Sequence, residues 1–551
     1  MAKKIINILL VMWYLLPANT TFAYTHADTL RGTNGRGREW WNVKYYNLVV
    51  SFDTVAQTIS GENTISLAVT KKPIDSMQID LQSPMEIDSV ELTIYGDDTT
   101  LRQPVNFRKE GNVWWLTYHF SEWSQGTTKD ILIYYHGKPR TAVNAPWDGG
   151  FTWSKDTTGK PWISVSCQGL GASVWWPCKD AQWDEPDNGM SVAYTVPKGL
   201  KAVSNGKLLR VGDNDDMQTY SWAVKNPINN YDVSFYIGDY VHWQDTLMGE
   251  KGQLNLDFWV LRYNLETARK QFAVVKPMLH CFEYWMGPYP FYEDGYKLVD
   301  APYLGMEHQS AVAYGNGYKM GYKGFDRSLT GIGMDFDYIV VHESGHEWFG
   351  NNVTARDIAD NWIHEGITTF SESLFEECVA GKEKGQKFCR GEWNNIRNDK
   401  PIIGRYGVND EGSNDMYDKG AAIMYMVRIL TNDDEKFRTM LRGLGKDNYH
   451  QVVTTQQIEG QISWHTGLNL TAFFDQYLRT TKIPQLEYTI KNNELSYKFN
   501  NIVAGFTLPL TVTTDDGTTA TIKPTSDWQH IAWTAKGDVK VTKDFLIKVK
   551  K

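Results

Sequence analysis

The sequence has no basic charge to spare. Its 56 Lys and Arg face 65 Asp and Glu, leaving a net charge of −9. Gripping a phosphate backbone needs clustered Lys and Arg, so no nucleic acid partner is expected. A membrane-length apolar run is lacking at the N-terminus too. The stretch Ile5 to Leu16 holds twelve residues, where a spanning helix needs about 20, so no stable membrane span is expected. No cysteine precedes Cys167, which leaves a lipid-modified N-terminus without an attachment point. Cysteine is scarce throughout. Five in an exported chain leave at least one unpaired. Cys167 and Cys178 stand 11 apart, as do Cys378 and Cys389. These are the two candidate pairs, with Cys281 left over.

The N-terminus carries an address. Lys3 and Lys4 precede the apolar run, and Thr21-Phe22-Ala23 offers small residues for cleavage. This pattern is that of a secretory signal peptide over residues 1–23, and it predicts an exported (periplasmic or secreted) mature chain. Hydrophobic content of 42% and charged content of 22% describe globular material. Tryptophan is plentiful at 22 copies, with doublets at Trp40-Trp41, Trp114-Trp115 and Trp175-Trp176; these are read as aromatic cores in preference to a sugar-binding surface. From Trp40 to Asp257 short alternating runs such as Val43–Phe52 and Thr58–Leu67 predict strands. Helical spacing prevails from Thr267 to Met286 and from Gly420 to Thr480, and strands return after Pro484.

The centre of the chain is His342-Glu343-Ser344-Gly345-His346. On a helix His342 and His346 project from one face, one turn apart. Two neutral imidazoles at that spacing can share one zinc ion. Glu343 points about 100° away, too far round to be a ligand and well placed to reach a water beside the metal. After His346 come 18 residues and then Glu365, within Trp362-Ile363-His364-Glu365-Gly366. A break at Gly350-Asn351-Asn352 followed by a second helix from about Asp360 would bring Glu365 opposite the histidines. Two His, one Glu and an open fourth position form a catalytic zinc pattern. Glu372 lies seven residues beyond Glu365, on the same face, and is read as a carboxylate that orients a ligand histidine. His364 is read as a local hydrogen-bonding residue.

The run from His342 to Thr354, followed by Trp362–Gly366, resembles the M1 metallopeptidases, the gluzincin aminopeptidases. The resemblance extends over roughly residues 40 to 485. It implies a multidomain α+β fold: a saddle-like all-β N-terminal domain (24–258), a thermolysin-like, mostly helical zinc catalytic domain (259–483) and a small C-terminal β-sandwich (484–551). The large helical C-terminal domain of longer members is not expected. It also implies site residues. Gln168, in Ser166-Cys167-Gln168-Gly169, matches a glutamine that helps hold a substrate's free amino group. Gly305, Met306 and Glu307 match the exopeptidase motif, with Leu304 in place of its first glycine and His308 in place of its asparagine. Glu307 would pair with the α-ammonium of a peptide, a charge-assisted bond about twice as strong as a neutral one. Tyr417, in Tyr417-Asp418-Lys419-Gly420, would stabilise an oxyanion. The expected activity is release of N-terminal residues from peptides with a free amino end. One Zn2+ per chain is expected, with Glu343 as general base. A catalytic cysteine is not expected, since the metal site already supplies a nucleophile. The alternative readings are a catalytically silent peptide-binding protein on this fold, or another zinc hydrolase, an endopeptidase or an epoxide hydrolase.

Overall fold

The computed structural model describes residues 24–96, 99–535 and 537–551; the leader expected at residues 1–23 lies outside them. A short helix, α1 (His26–Gly32), opens the described chain, its first turn closed by reciprocal hydrogen bonds between Thr25 and Asp28. Strands then follow one another. β1 (Trp41–Asp53) turns Tyr46, Leu48, Val50 and Phe52 inward, all fully buried, while Asn47 faces water. It pairs antiparallel with β2 (Thr58–Val69) in a register that sets Tyr46 against Ile65. With β3 (Glu86–Tyr95), β4 (Thr128–Gly137), β5 (Met190–Pro197) and β6 (Met217–Val224) they form an eight-stranded sheet. Its order is Lys207–Asn214, β6, β5, β1, β2, β4, β3, Thr100–Pro104. Trp40, Trp41, Trp175 and Trp176 are buried in the cluster beneath it. These tryptophans pack a core and offer no ring to a sugar.

The second unit is built on a five-stranded sheet. β7 (Tyr240–Gly249) and β8 (Gly252–Leu261) form a hairpin, and β8 runs parallel to β9 (Tyr296–Asp300). β10 (Gly305–Met306) lies at the sheet edge, antiparallel to β11 (Val312–Tyr314). The boundary expected at residue 258 falls within β8, whose hairpin with β7 starts at Tyr240. Alternating strands look alike in sequence on either side of such a boundary. Only their partners tell them apart.

Four helices complete the part of this unit that matters for the site: α2 (Val275–Met286), α3 (Tyr338–Gly345), α4 (Trp362–Ala380) and α5 (Asp418–Thr431). α3 is buried along its whole length and is capped by Asp337, whose carboxylate accepts from Ile339 N and Val340 N. α2 and α4 are joined by a disulfide between Cys281 and Cys378, with Cα atoms 6.1 Å apart. Neither of the two candidate pairs forms. Cys167, Cys178 and Cys389 are buried free thiols, and Cys281, expected to be left over, forms the bridge. Equal spacing along the chain said nothing about which helices lie side by side. No helix among the described residues is long and apolar enough to cross a membrane. After residue 484 the chain forms a four-stranded and a three-stranded sheet, which bury Leu486, Leu495, Phe499, Leu510 and Val512.

Candidate active site

α3 and α4 bring three donors together. His342 and His346 are one turn apart, with Nε2 atoms 3.3 Å from each other. Glu365, in the first turn of α4, sets Oε2 3.2 Å from His346 Nε2 and 3.6 Å from His342 Nε2. All three side chains are buried, and their donor atoms lie within 4.8 Å of one another. The far nitrogens are occupied. His342 Nδ1 is 2.7 Å from Glu372 Oε1, and His346 Nδ1 is 3.0 Å from the carbonyl of Phe349. Each ring thus gives its Nδ1–H outward and turns Nε2 to a common point. Burial opposes charge here. Even so, the His346 and His342 rings hold Glu365 well below the usual carboxylate range, and Glu365 and Glu372 raise His342. Two imidazoles, one ionised carboxylate and Nε2 atoms converging on one point fit zinc.

Glycine makes two close approaches possible. Gly350, at φ +131°, ends the turn after α3, and a Cβ there would sit 3.1 Å from His346 Nδ1. Gly305 carries the edge strand over α3 so closely that a Cβ would meet Glu343 Oε1 and Ile339 Cγ2 at 2.7 Å each. Glu343 therefore faces the edge strand from below. Burial pushes its carboxyl up to about 7, with Glu307 adding to the rise and the two histidines opposing it.

Glu307 follows directly on β10 and is 3% exposed. The Tyr231 hydroxyl donates to its Oε1 at 3.0 Å, and Asn351 Nδ2 donates to its backbone carbonyl at 2.8 Å. Burial raises the Glu307 carboxyl, with Glu365 contributing and His346 opposing. Gln168 reaches across from the first unit and donates through Nε2 to Glu365 Oε1 at 3.3 Å. Met306 turns its side chain into the apolar cluster of the first unit. His308, in the position where asparagine was the pattern, is fully buried, with Nδ1 2.7 Å from the Tyr236 hydroxyl; burial lowers its pKa to about 3. The replacement is absorbed by the core. His364 Nε2 accepts from Ala355 N at 2.7 Å, a structural bond beside the metal site.

Tyr417 caps the start of α5, its ring stacked 6.1 Å from that of His342. Its hydroxyl has no hydrogen-bond partner among the described residues. Tyr338 stacks on the same imidazole at 5.4 Å. Arg327 lies over Tyr338 and binds both oxygens of Asp418, at 2.9 and 3.0 Å. The structure thus brings His342, His346, Glu365, Glu372, Glu343, Glu307, Gly305, Gln168 and Tyr417 into one neighbourhood. Tyr231, Asn351, Tyr338 and Arg327 were missed by sequence reasoning. Tyr231, Asn351 and Arg327 reach the site from turns, and Tyr338 from the first turn of α3, four residues before His342.

A family model described as "Peptidase family M1 domain" matches residues 271–477. Leukotriene A-4 hydrolase of Xenopus laevis is 23% identical over 448 residues, covering 76% of this chain and 67% of that protein. Aminopeptidase B of Rattus norvegicus is 23% identical over 414 residues, covering 70% and 59%. The chain thus spans about three fifths to two thirds of the length of these relatives. Among solved structures, an M1 zinc metallopeptidase mutant from Deinococcus radiodurans, bound to a Tyr-Ser-Ala substrate, superimposes with a TM-score of 0.66 at 18% identity. The match covers 82% of this chain and 97% of that one.

Proposed function

We propose, from the premise that residues 271–477 form a peptidase family M1 domain, that this protein is a zinc-dependent aminopeptidase acting on short peptides with a free N-terminus. One observation carries the reading. A buried carboxylate, Glu307, stands near the His342–His346–Glu365 donor set, where Glu365 raises its carboxyl and His346 opposes the rise. An acidic clamp at that place binds an ammonium group and stops a peptide from running further past the metal.

Zinc, when held by His342, His346 and Glu365, supplies the positive charge that acidifies a neighbouring water and polarises a carbonyl. The protein's residues do the rest. Glu307, steadied by Tyr231, and Gln168 hold the α-amino group. The edge strand at Gly305 aligns the first peptide bond against Glu343. Glu343 takes a proton from the attacking water on its carboxylate and returns it to the leaving amine. Its raised pKa of about 7 suits a group that must both accept and donate a proton near neutrality. Tyr417, whose hydroxyl has no protein partner, donates to the developing oxyanion. Glu372 holds His342 in the tautomer that presents Nε2.

The Deinococcus enzyme's Tyr-Ser-Ala substrate supports the choice of short peptides. The signal-like N-terminus and the Cys281–Cys378 disulfide together support an exported protein, since such bonds persist in oxidising compartments. The test is a short peptide offered free and N-acetylated, with and without chelator. Stepwise release of single residues from the free peptide alone, lost with chelator, is the expected result. Cleavage of the acetylated peptide at an internal bond would instead indicate an endopeptidase.

A further inference from the structure

Helix α1 contributes nothing to a core. None of its seven residues is buried, and a cavity of about 320 Å3, bounded by Asp80, Gln82 and Leu170, flanks it. So short a helix does not stand by propensity alone. Polar contacts hold it in place, and they lead to Gln168.

Arg31 makes the central contact. Its Nη1 donates to Asp180 Oδ2 at 3.0 Å and its Nη2 donates to the Gly169 carbonyl at 3.4 Å. Asp180 is buried, and Ser173 donates to the same oxygen through both N and Oγ. Burial opposes charge on Asp180, yet Arg31 and the Ser173 donors hold its carboxyl below the usual range. The pair is anchored from behind. Asp180 N donates to Asp80 Oδ2 at 3.1 Å, Asp80 pairs with the fully buried Arg38, and Arg38 Nη1 donates to the Arg31 carbonyl at 3.0 Å. The circuit closes on itself, so Arg31 is fixed at both its backbone and its side chain.

Gly169 is the residue after Gln168. The turn that carries both is closed by Gly171 N, which donates to the Cys167 carbonyl at 2.6 Å, and Gln82 Nε2 donates to the Leu170 carbonyl at 2.8 Å. From this turn Gln168 Nε2 reaches Glu365 Oε1 at 3.3 Å. The Gly169 carbonyl has a second donor, Asn409 Nδ2, also at 3.4 Å. The 405–410 loop that supplies it reaches back to the residues before α1. There the Tyr24 hydroxyl donates to Asp410 Oδ2 at 2.7 Å, and Arg405 lies over the Tyr24 ring at 4.7 Å. The segment 24–31 thus touches both units, and the carbonyl next to Gln168 takes one donor from this segment and one from the second unit.

We infer that Arg31 is a positioning residue: through Gly169 it sets where Gln168 stands, and so how a peptide's amino end is received. The inference rests on the aminopeptidase reading and deepens it. Lysine does not substitute. A planar guanidinium fork is set to reach Asp180 and Gly169 at once, whereas a compact ammonium on a flexible stem keeps the charge beside Asp180 and loses the fork.

The test measures kcat and KM on an alanyl arylamide for Arg31→Lys and Arg31→Gln, each made alone and together with Gln168→Ala, alongside melting temperature and zinc affinity. Both Arg31 variants are expected to raise KM about two- to tenfold, the range for one hydrogen bond, with kcat within about twofold of wild type. Zinc affinity stays as in wild type, and Arg31→Lys, which keeps the ion pair with Asp180, keeps the melting temperature. With Gln168→Ala present neither change raises KM further, because the residue through which Arg31 acts is gone. Should Arg31→Gln lose its fold, Arg31→Lys decides alone. A wild-type KM in Arg31→Lys, a loss confined to kcat, or the same rise in KM with and without Gln168 overturns the proposal. The two levels of argument separate in the wild type. If it releases the arylamide and chelator stops it, while Arg31→Lys leaves KM unchanged, the role of Arg31 falls and the aminopeptidase reading stands. If the wild type releases nothing, both fall.

Discussion

His342 Nδ1 stands 2.7 Å from Glu372 Oε1, both groups buried, on two different helices of the same site. The carboxylate fixes which nitrogen of the ring carries its proton, and so which one is offered to a cation. Glu372→Ala is expected to weaken zinc binding by about 10- to 100-fold, read by competition with a chelator of known affinity. An unchanged zinc affinity would show that α3 alone orients the ring.

Glu343→Gln keeps the shape of the side chain and removes its ability to accept a proton. The expected outcome is retained zinc, an unchanged melting temperature and a loss of kcat of at least about 10²-fold on an alanyl arylamide. Near-normal turnover in that variant would remove Glu343 from the chemistry.

The acid limb of kcat/KM reports the ionisation of Glu343. Burial lifts that carboxyl from 4.5 to about 7, and a bound cation pulls it down again, so the midpoint is expected between those values, with activity falling as pH falls. Glu307 is one of the groups that raise it. Glu307→Gln therefore moves the acid limb to lower pH. The same change raises KM for free-amino substrates more than for N-blocked ones. A limb that stays put would mean that Glu343 is not the titrating group.

The Cys281–Cys378 bridge closes a loop with a sequence separation of 97. A cross-link of that span is worth about 4–5 kcal/mol in the chain-entropy picture, and less where the unfolded chain keeps structure. The Cys281→Ala/Cys378→Ala double variant is expected to lose about 2–5 kcal/mol of stability, measured by denaturant unfolding, and to become indifferent to reductant. A wild-type protein whose unfolding midpoint ignores reductant would contradict the bridge.

Much of this site was legible before any coordinates. The four-residue spacing of His342 and His346 is a statement of helix geometry, and Glu372 follows Glu365 by two turns for the same reason. Glu307, Gln168 and Tyr417 were legible only through resemblance, because nothing in an isolated Glu, Gln or Tyr announces that it lies near two histidines and a glutamate. Tyr231 and Asn351, which hold Glu307, were invisible. Each belongs to a turn whose direction is set by a distant part of the chain. The Cys281–Cys378 disulfide and the β7–β8 hairpin across residue 258 were not legible, for one common cause. Both depend on which elements lie side by side, and a sequence pattern fixes an element's type before it fixes its neighbours.

Gln168 and Tyr231 come from the first unit, whereas the metal donors, Glu343 and Tyr417 all come from the second. On the proposed reading, the grip on a peptide's amino end is thus shared between the two halves, with Gln168 and Tyr231 from one and Glu307 from the other. A change in the leading half would then alter how that end is held while leaving His342, His346 and Glu365 in place.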